Sequence, residues 1–360
     1  MAEARIISVA QALQEATDLA MARDPRVYLM GEGVADPKGI FGTTSGLLAK
    51  YGRERVIEMP ISENGMTGVA IGSAIGGQRP IMVHQRVDFA LLSLEQLFNN
   101  AAKTHYVSNG YHKVPMVVRM IVGRGWGQGP AHSQSLETLF AYIPGLKLVM
   151  PATAYEAKGL LLAAVEDDNP VIFLEHRWVH YSTGHVPQEW YKIPLDGSRI
   201  ARSGRDLTIV ATSYMLFEAL LAAKHLAEAG IEAEVIDLMI ARPLNMAPIL
   251  DSLAKTGRLM TVDTGFVTHG LGAEIVARAV EQGSSSLRAA PARLGLPDHP
   301  TPSSRELVRR YYPVSLDILD KAAAMAGLTE ERLAPVRACL SIERDKVPFD
   351  VPYPAFRGPF

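Results

Sequence analysis

The segment Met59-Pro-Ile-Ser-Glu-Asn-Gly-Met-Thr-Gly-Val-Ala-Ile-Gly-Ser-Ala-Ile-Gly-Gly77 decides how the rest of the chain is read. It leaves a short apolar strand over 56–59, turns at Pro60, and presents one carboxylate, Glu63, at the mouth of an apolar helix. On that helix Gly68, Gly72 and Gly76 fall four residues apart and share one face. A bare face admits another backbone closely, at a cost of roughly 1 kcal/mol per glycine relative to alanine. Glu63 carries two readings at this point. A carboxylate at a helix start caps free N–H groups and meets the dipole favourably; beside a tight contact it can also do proton chemistry.

Outward from that segment, strand and helix alternate. Apolar residues at helical spacing over 9–21 end at Asp24-Pro25. A buried strand over 27–30 runs into Gly31-Glu32-Gly33, the kind of strand-to-loop junction where α/β proteins place ligands. A strand at 80–84 is followed by a loop and one long helix over 87–109, then by a continuously apolar strand at 115–121. Strands at 146–149 and 171–174 flank a helix at 154–166. Further strands at 207–211, 233–237, 259–262 and 288–294 alternate with helices. The pattern predicts an α/β protein of two doubly wound domains with mainly parallel sheets. The domains are expected at 1–185 and 206–329, with a linker at 186–205. Residues 330–360 form a C-terminal extension whose proline-rich end, 347–360, reads as an extended arm.

With 360 residues, 48% hydrophobic and 21% charged, the chain has the composition of a soluble two-domain protein. A formal net charge of -2 leaves no footprint for nucleic acid or an anionic membrane. The single cysteine, Cys339, fits a reducing compartment, and the amphipathic N-terminus lacks the pattern of a signal peptide. The expected location is the cytoplasm or an organelle matrix, by default the cytoplasm.

The glycines of the 123–129 loop alternate strictly and match neither the dinucleotide fingerprint nor the P-loop. His132, just after that loop, is placed for proton work or for an ordinary loop hydrogen bond. His176 and His180, four apart, lack a third metal ligand at a recognisable spacing. Asp167, Asp168 and Asn169 read as a helix-terminal turn whose oxygens, at Asp167 and Asn169, could hold a monovalent cation such as K+.

Taken together, these segments resemble the β subunit of thiamine-diphosphate-dependent 2-oxo acid dehydrogenases (the E1 component, of pyruvate or branched-chain type), in the transketolase-like superfamily. The likeness spans roughly residues 6–327 and rests on the stretch around Glu63, Asp88-Phe89 ahead of Glu95-Gln96, Asn100-Ala-Ala-Lys103, His132-Ser-Gln-Ser135, Pro144-Gly-Leu-Lys147, Asn169-Pro-Val-Ile-Phe173 and Gly272-Ala-Glu-Ile275. It implies a pyrimidine-binding domain followed by a transketolase C-terminal domain. It also implies that Glu63 bonds N1′ of the cofactor's aminopyrimidine, favouring the tautomer whose 4′ nitrogen removes the thiazolium C2 proton. An apolar, water-poor setting raises a carboxylate's proton affinity as that exchange needs. Phe89 and Ile61 would line the same pocket, and His132 would assist proton transfer as the acyl group passes to lipoamide.

Enzymes of this kind hold the diphosphate through Mg2+ on a Gly-Asp-Gly motif, which occurs nowhere in this chain. The resemblance therefore implies an α subunit that supplies Mg2+ and half the site, in an α2β2 heterotetramer, with a lipoyl-carrying E2 protein as acceptor. The glycine face of the 64–77 helix then reads as a subunit contact. Three features depart from the family. Arg86 replaces an apolar or aromatic residue and puts a cation near the substrate channel; Asp263-Thr-Gly-Phe266 replaces the usual His-Glu-Ala; and 330–360 has no counterpart. They motivate an alternative, a split transketolase-like enzyme that transfers a two-carbon ketol unit.

Overall fold

The computed structural model describes residues 5–124 and 127–347. β1 (Ile6–Ser8) runs into α1 (Val9–Arg23), which opens on a capping box between Ser8 and Gln11. β2 (Val27–Gly31), α2 (Leu47–Tyr51), β3 (Val56–Glu58), α3 (Glu63–Ile75) and β4 (Arg79–His84) follow. α4 (Val87–Ala90) leads through a 3-10 turn and a π-helical turn at Gln96–Ala101 into α5 (Ala102–Val107). The single long helix expected here is thus broken. The widened turn sets the Gln96 side chain against bare Gly68, where a Cβ would lie 3.5 Å from its Oε1.

β5 (Val117–Val122), α6 (Glu137–Tyr142), β6 (Lys147–Val149), α7 (Ala154–Glu166), β7 (Val171–His176) and β8 (Thr183–His185) come next. The second half holds β9 (Arg199–Arg202), β10 (Leu207–Ala211), α8 (Met215–Glu228), β11 (Ala233–Asp237) and β12 (Ile240–Arg242). It continues with α9 (Ala247–Thr256), β13 (Leu259–Phe266), α10 (Leu271–Gly283) and β14 (Ala292–Leu296). α11 (Arg305–Val308), α12 (Ser315–Ala326) and α13 (Glu330–Asp345) close it.

A seven-stranded sheet has the order β12-β6-β7-β5-β4-β2-β3 and a five-stranded sheet the order β14-β13-β10-β11-β9. Only β12 and β9, each at a sheet edge, run antiparallel to their neighbours. β1 and β8 form a separate antiparallel pair. The central strands β5, β7, β10 and β11 are buried along their whole length, as sheets covered on both faces require.

Two expectations need correction. β12 belongs by sequence to the second half, yet it pairs with β6 and extends the first sheet. Three residues carry too little periodicity to show this. The extension is no arm over 330–345: Leu333, Val336 and Leu340, spaced three and four apart, bury one stripe of α13 and pack it on α8 and α12. Pro335 lies within that helix. The arm expected over 347–360 falls outside the described residues from 348 on. Among the described residues no helix is long and apolar enough to cross a membrane.

Candidate active site

Parallel pairing brings the ends of five strands to one edge. Gly31 lies opposite Glu58 and Val83, His84 opposite Met120, and Val122 opposite His176. The residues that follow each strand therefore gather in the crevice where open α/β sheets hold ligands. Glu32 follows β2, Glu63 follows β3, Arg86 and Phe89 follow β4, His132 follows β5, and His176 ends β7.

Glu63 is the first residue of α3 and only 5% exposed. No side-chain cap closes the helix at Ser62. Ile61, two residues earlier, is 87% exposed on the turn. A second carboxylate, Glu32, is buried beside it, with Oε1 lacking a hydrogen-bond partner among the described residues. Burial, and then the charges of Glu63 and Glu58, push Glu32 up from the usual carboxylate range. Glu58 has a structural task, accepting from the backbone N–H of Gly33 at 2.6 Å and of Ala35 at 2.9 Å. The sequence marks Gly31-Glu32-Gly33 as a ligand junction without giving the Glu32 carboxylate a role, which only its burial beside Glu63 reveals.

Across the crevice the Phe89 and His132 rings meet edge to face, 5.3 Å between centroids. Asp88 ties these two elements together: its Oδ1 accepts from the Gln134 backbone N–H at 3.3 Å and from Gln134 Nε2 at 2.9 Å. Burial pushes Asp88 up despite those bonds and the nearby Arg86. Arg86, at the N-cap of α4, is 6% exposed and donates from Nη2 to Gln128 Oε1 at 2.7 Å. Gln128 is the second residue that the sequence pass missed, because a loop glutamine carries no pattern of its own.

Beneath the crevice lies a polar layer. Arg119 donates to both Glu175 oxygens, at 2.6 and 3.0 Å, and His180 Nε2 lies 3.0 Å from Glu175 Oε2. His176 does not face His180 as a metal partner; its ring stacks on Tyr214, with centroids 5.1 Å apart. Arg124 lies between the Trp178 and Tyr312 rings, 3.7 and 4.1 Å from their centroids.

At the Asp167–Asn169 turn the Asn169 backbone N–H and Nδ2 both donate to Asp167 Oδ1, at 2.9 and 3.0 Å. Lys147 pairs with the Asp167 carboxylate, and Arg79 donates to the carbonyls of Val165 and Asp167, both at 3.0 Å. Protein cations thus meet the oxygens of Asp167. A cavity of about 1220 Å³ opens between the 138–147 and 241–278 regions and touches none of Glu63, Phe89 or His132. Titratable groups converge instead at the sheet edge, around Glu32, Glu63, Asp88 and His132.

The crevice does fit the aminopyrimidine half of thiamine diphosphate. It offers a buried carboxylate in Glu63, an orphaned acceptor in Glu32 and apolar flanks in Ile61 and Phe89. On the outer face of α3 a Cβ at Gly72 would meet nothing within 4 Å, so the described chain leaves that side of the helix open.

The chain matches the transketolase pyrimidine-binding domain over residues 5–179 and the transketolase C-terminal domain over residues 197–318. It is 40% identical over 325 residues to the acetoin:2,6-dichlorophenolindophenol oxidoreductase subunit beta of Cupriavidus necator, covering 88% of this chain and 96% of that one. It is 41% identical over 322 residues to the mitochondrial pyruvate dehydrogenase E1 component subunit beta-1 of Arabidopsis thaliana, with coverage of 88% and 89%. A solved structure described as a split gene transketolase, inactive beta4 tetramer, superposes with a TM-score of 0.72 over 89% of this chain and 99% of that chain. At 22% identity that likeness shows the shared fold. With its two transketolase-type domains and its identity over most of its length to such subunits, the chain belongs to the family of E1 beta subunits of pyruvate and acetoin dehydrogenases.

Proposed function

We propose that this chain is the β subunit of a thiamine-diphosphate-dependent 2-oxo acid dehydrogenase, active only with an α subunit. The observation that carries the reading is the buried Glu63 at the start of α3, across the crevice from the Phe89–His132 pair. When bound, the cofactor supplies the electron sink for loss of CO2 from a 2-oxo acid. Glu63 holds and moves a proton at the pyrimidine N1′. Phe89 and Ile61 flank the ring, and His132 exchanges a proton at the crevice mouth as the acyl group passes to a lipoyl carrier. The α subunit supplies Mg2+ and the diphosphate site, since the sequence contains no Gly-Asp-Gly. An α2β2 assembly places the open side of α3 at the seam. The split transketolase alternative has less support: the dehydrogenase-type relatives are about 40% identical, the transketolase 22%.

The test is copurification with the native α partner and a panel of 2-oxo acids and ketose phosphates, read by 2,6-dichlorophenolindophenol reduction and by ketol transfer. Glu63→Gln should lower turnover by about 10²–10⁴-fold while the complex still assembles. Full activity in that variant, or decarboxylation by this chain alone, defeats the proposal.

A further inference from the structure

Several guanidinium groups line the C-terminal edge of the first sheet, and they are satisfied in different ways. Arg119 has the Glu175 carboxylate. Arg124 has two aromatic faces, and Arg177 lies over the Phe41 ring at 3.7 Å. Among the described residues Arg86 has neither a hydrogen-bonded carboxylate nor an aromatic face, and the Asp88 carboxylate favours its charge only through space. Its hydrogen bond among the described residues goes to the neutral amide oxygen of Gln128, and its Nη1 is buried without a partner. The neighbouring carboxylate, Asp88, spends Oδ1 on Gln134, and its Oδ2 is also without a hydrogen bond among the described residues. A buried guanidinium resting on a neutral amide is costly unless an anion completes its shell.

The setting is also rigid. Arg86 opens the short helix that carries Phe89 three residues on, and Phe89 touches His132. Gln128 sits between Gly127 and Gly129, both at positive φ, and a Cβ on Gly129 would lie 2.4 Å from Ser303 Oγ in the second half of the chain. Gly127 and Gly129, on either side of Gln128, are therefore packed against that half.

We propose that Arg86, held by Gln128, recognises a carboxylate of the acyl donor and so selects 2-oxo acids over neutral ketols such as acetoin. The proposal rests on the reading of the site as that of a thiamine-diphosphate enzyme. The planar fork of a guanidinium matches the two oxygens of a carboxylate, and a dry setting strengthens that pairing. A neutral ketol offers no anionic acceptor to the buried Nη1, so the same residue that favours one donor disfavours the other.

The experiment uses the complex with the α partner and the variants Arg86→Leu and Arg86→Lys. Dichlorophenolindophenol reduction gives kcat/KM for pyruvate, 2-oxobutyrate, 2-oxoglutarate and acetoin. Arg86→Leu should lower the ratio of 2-oxo acid to acetoin kcat/KM by about 30-fold, mainly through KM, as expected for loss of a buried charged hydrogen bond. Arg86→Lys, which keeps the charge but loses the fork, should fall roughly 3–10-fold and carries the test if the leucine variant does not assemble. An effect on all 2-oxo acids identifies the donor's C1 carboxylate; one confined to 2-oxoglutarate overturns the selection of 2-oxo acids over ketols. Equal losses for acetoin and the acids, or a change only in thiamine diphosphate affinity, overturn the proposal. Calorimetric binding of oxamate, a carboxylate that cannot be decarboxylated, separates the two readings. If the complex turns over no donor yet Arg86→Leu weakens oxamate, the function fails and the anion site stands; unchanged oxamate binding removes the anion site.

Discussion

Glu175→Gln is the perturbation whose cost follows most directly from the geometry. Glu175 lies at the end of β7, fully enclosed, with both oxygens on Arg119 and one near His180. Burial alone pushes its carboxyl up, but Arg119 and His180 outweigh that and hold it at about 2, against an ordinary 4.5. At about 1.4 kcal/mol per pH unit, the difference corresponds to roughly 3 kcal/mol of stability at neutral pH. A second route gives a similar figure, because removing one partner of a buried ion pair costs about 3–5 kcal/mol. The sign follows from the depressed pKa. The contribution is fully present above pH 4.5 and is lost as pH falls toward 2. Urea unfolding at pH 7 should therefore show Glu175→Gln about 3 kcal/mol less stable than the parent, with the gap closing below pH 4.5. Pairing it with Arg119→Met should recover part of the loss, since the stranded guanidinium is then gone. A gap under about 1 kcal/mol at pH 7, or one that stays constant on acidification, would refute the reasoning.

Three further outcomes bear on other parts of the molecule. Leu340→Ala should cost about 2–5 kcal/mol by thermal or urea unfolding, because Leu340 is fully buried where α13 packs on the second half; a surface arm would show almost none. Gly123→Ala should destabilise by more than about 1–3 kcal/mol. Gly123 has φ +88, and a Cβ there would lie 2.2 Å from His176 Nε2. His132→Ala should slow acyl transfer to a lipoyl acceptor by about 10²-fold while dye-linked decarboxylation falls less; equal loss in both assays would remove His132 from the transfer step.

What was legible in the sequence was whatever local physics writes into consecutive residues. The alternating strands and helices, the turn before Glu63 and the histidine after the glycine loop each leave a mark within a few positions, and each strand end announced its own candidate. The helix over 330–345 left no reading, because the stripe Leu333, Val336, Leu340 becomes apolar burial only when α8 and α12 lie under it. β12 escaped for the converse reason: a three-residue edge strand is defined by its partner β6 and not by itself.

Residue order alone suffices for an α/β chain of two halves, for the proton-carrying candidates Glu63 and His132, and for the lack of a Gly-Asp-Gly phosphate motif. Only the tertiary structure decided which of those residues share a crevice and what surrounds them. Parallel register carries Glu32, Glu63, Phe89 and His132 to one edge from positions up to a hundred residues apart. It also sets Lys147 and Arg79 on the oxygens of the Asp167 turn and gives Arg86 a neutral amide as its hydrogen-bond partner. Charge compensation in a protein interior depends on which groups meet in space, and no spacing along the chain encodes that.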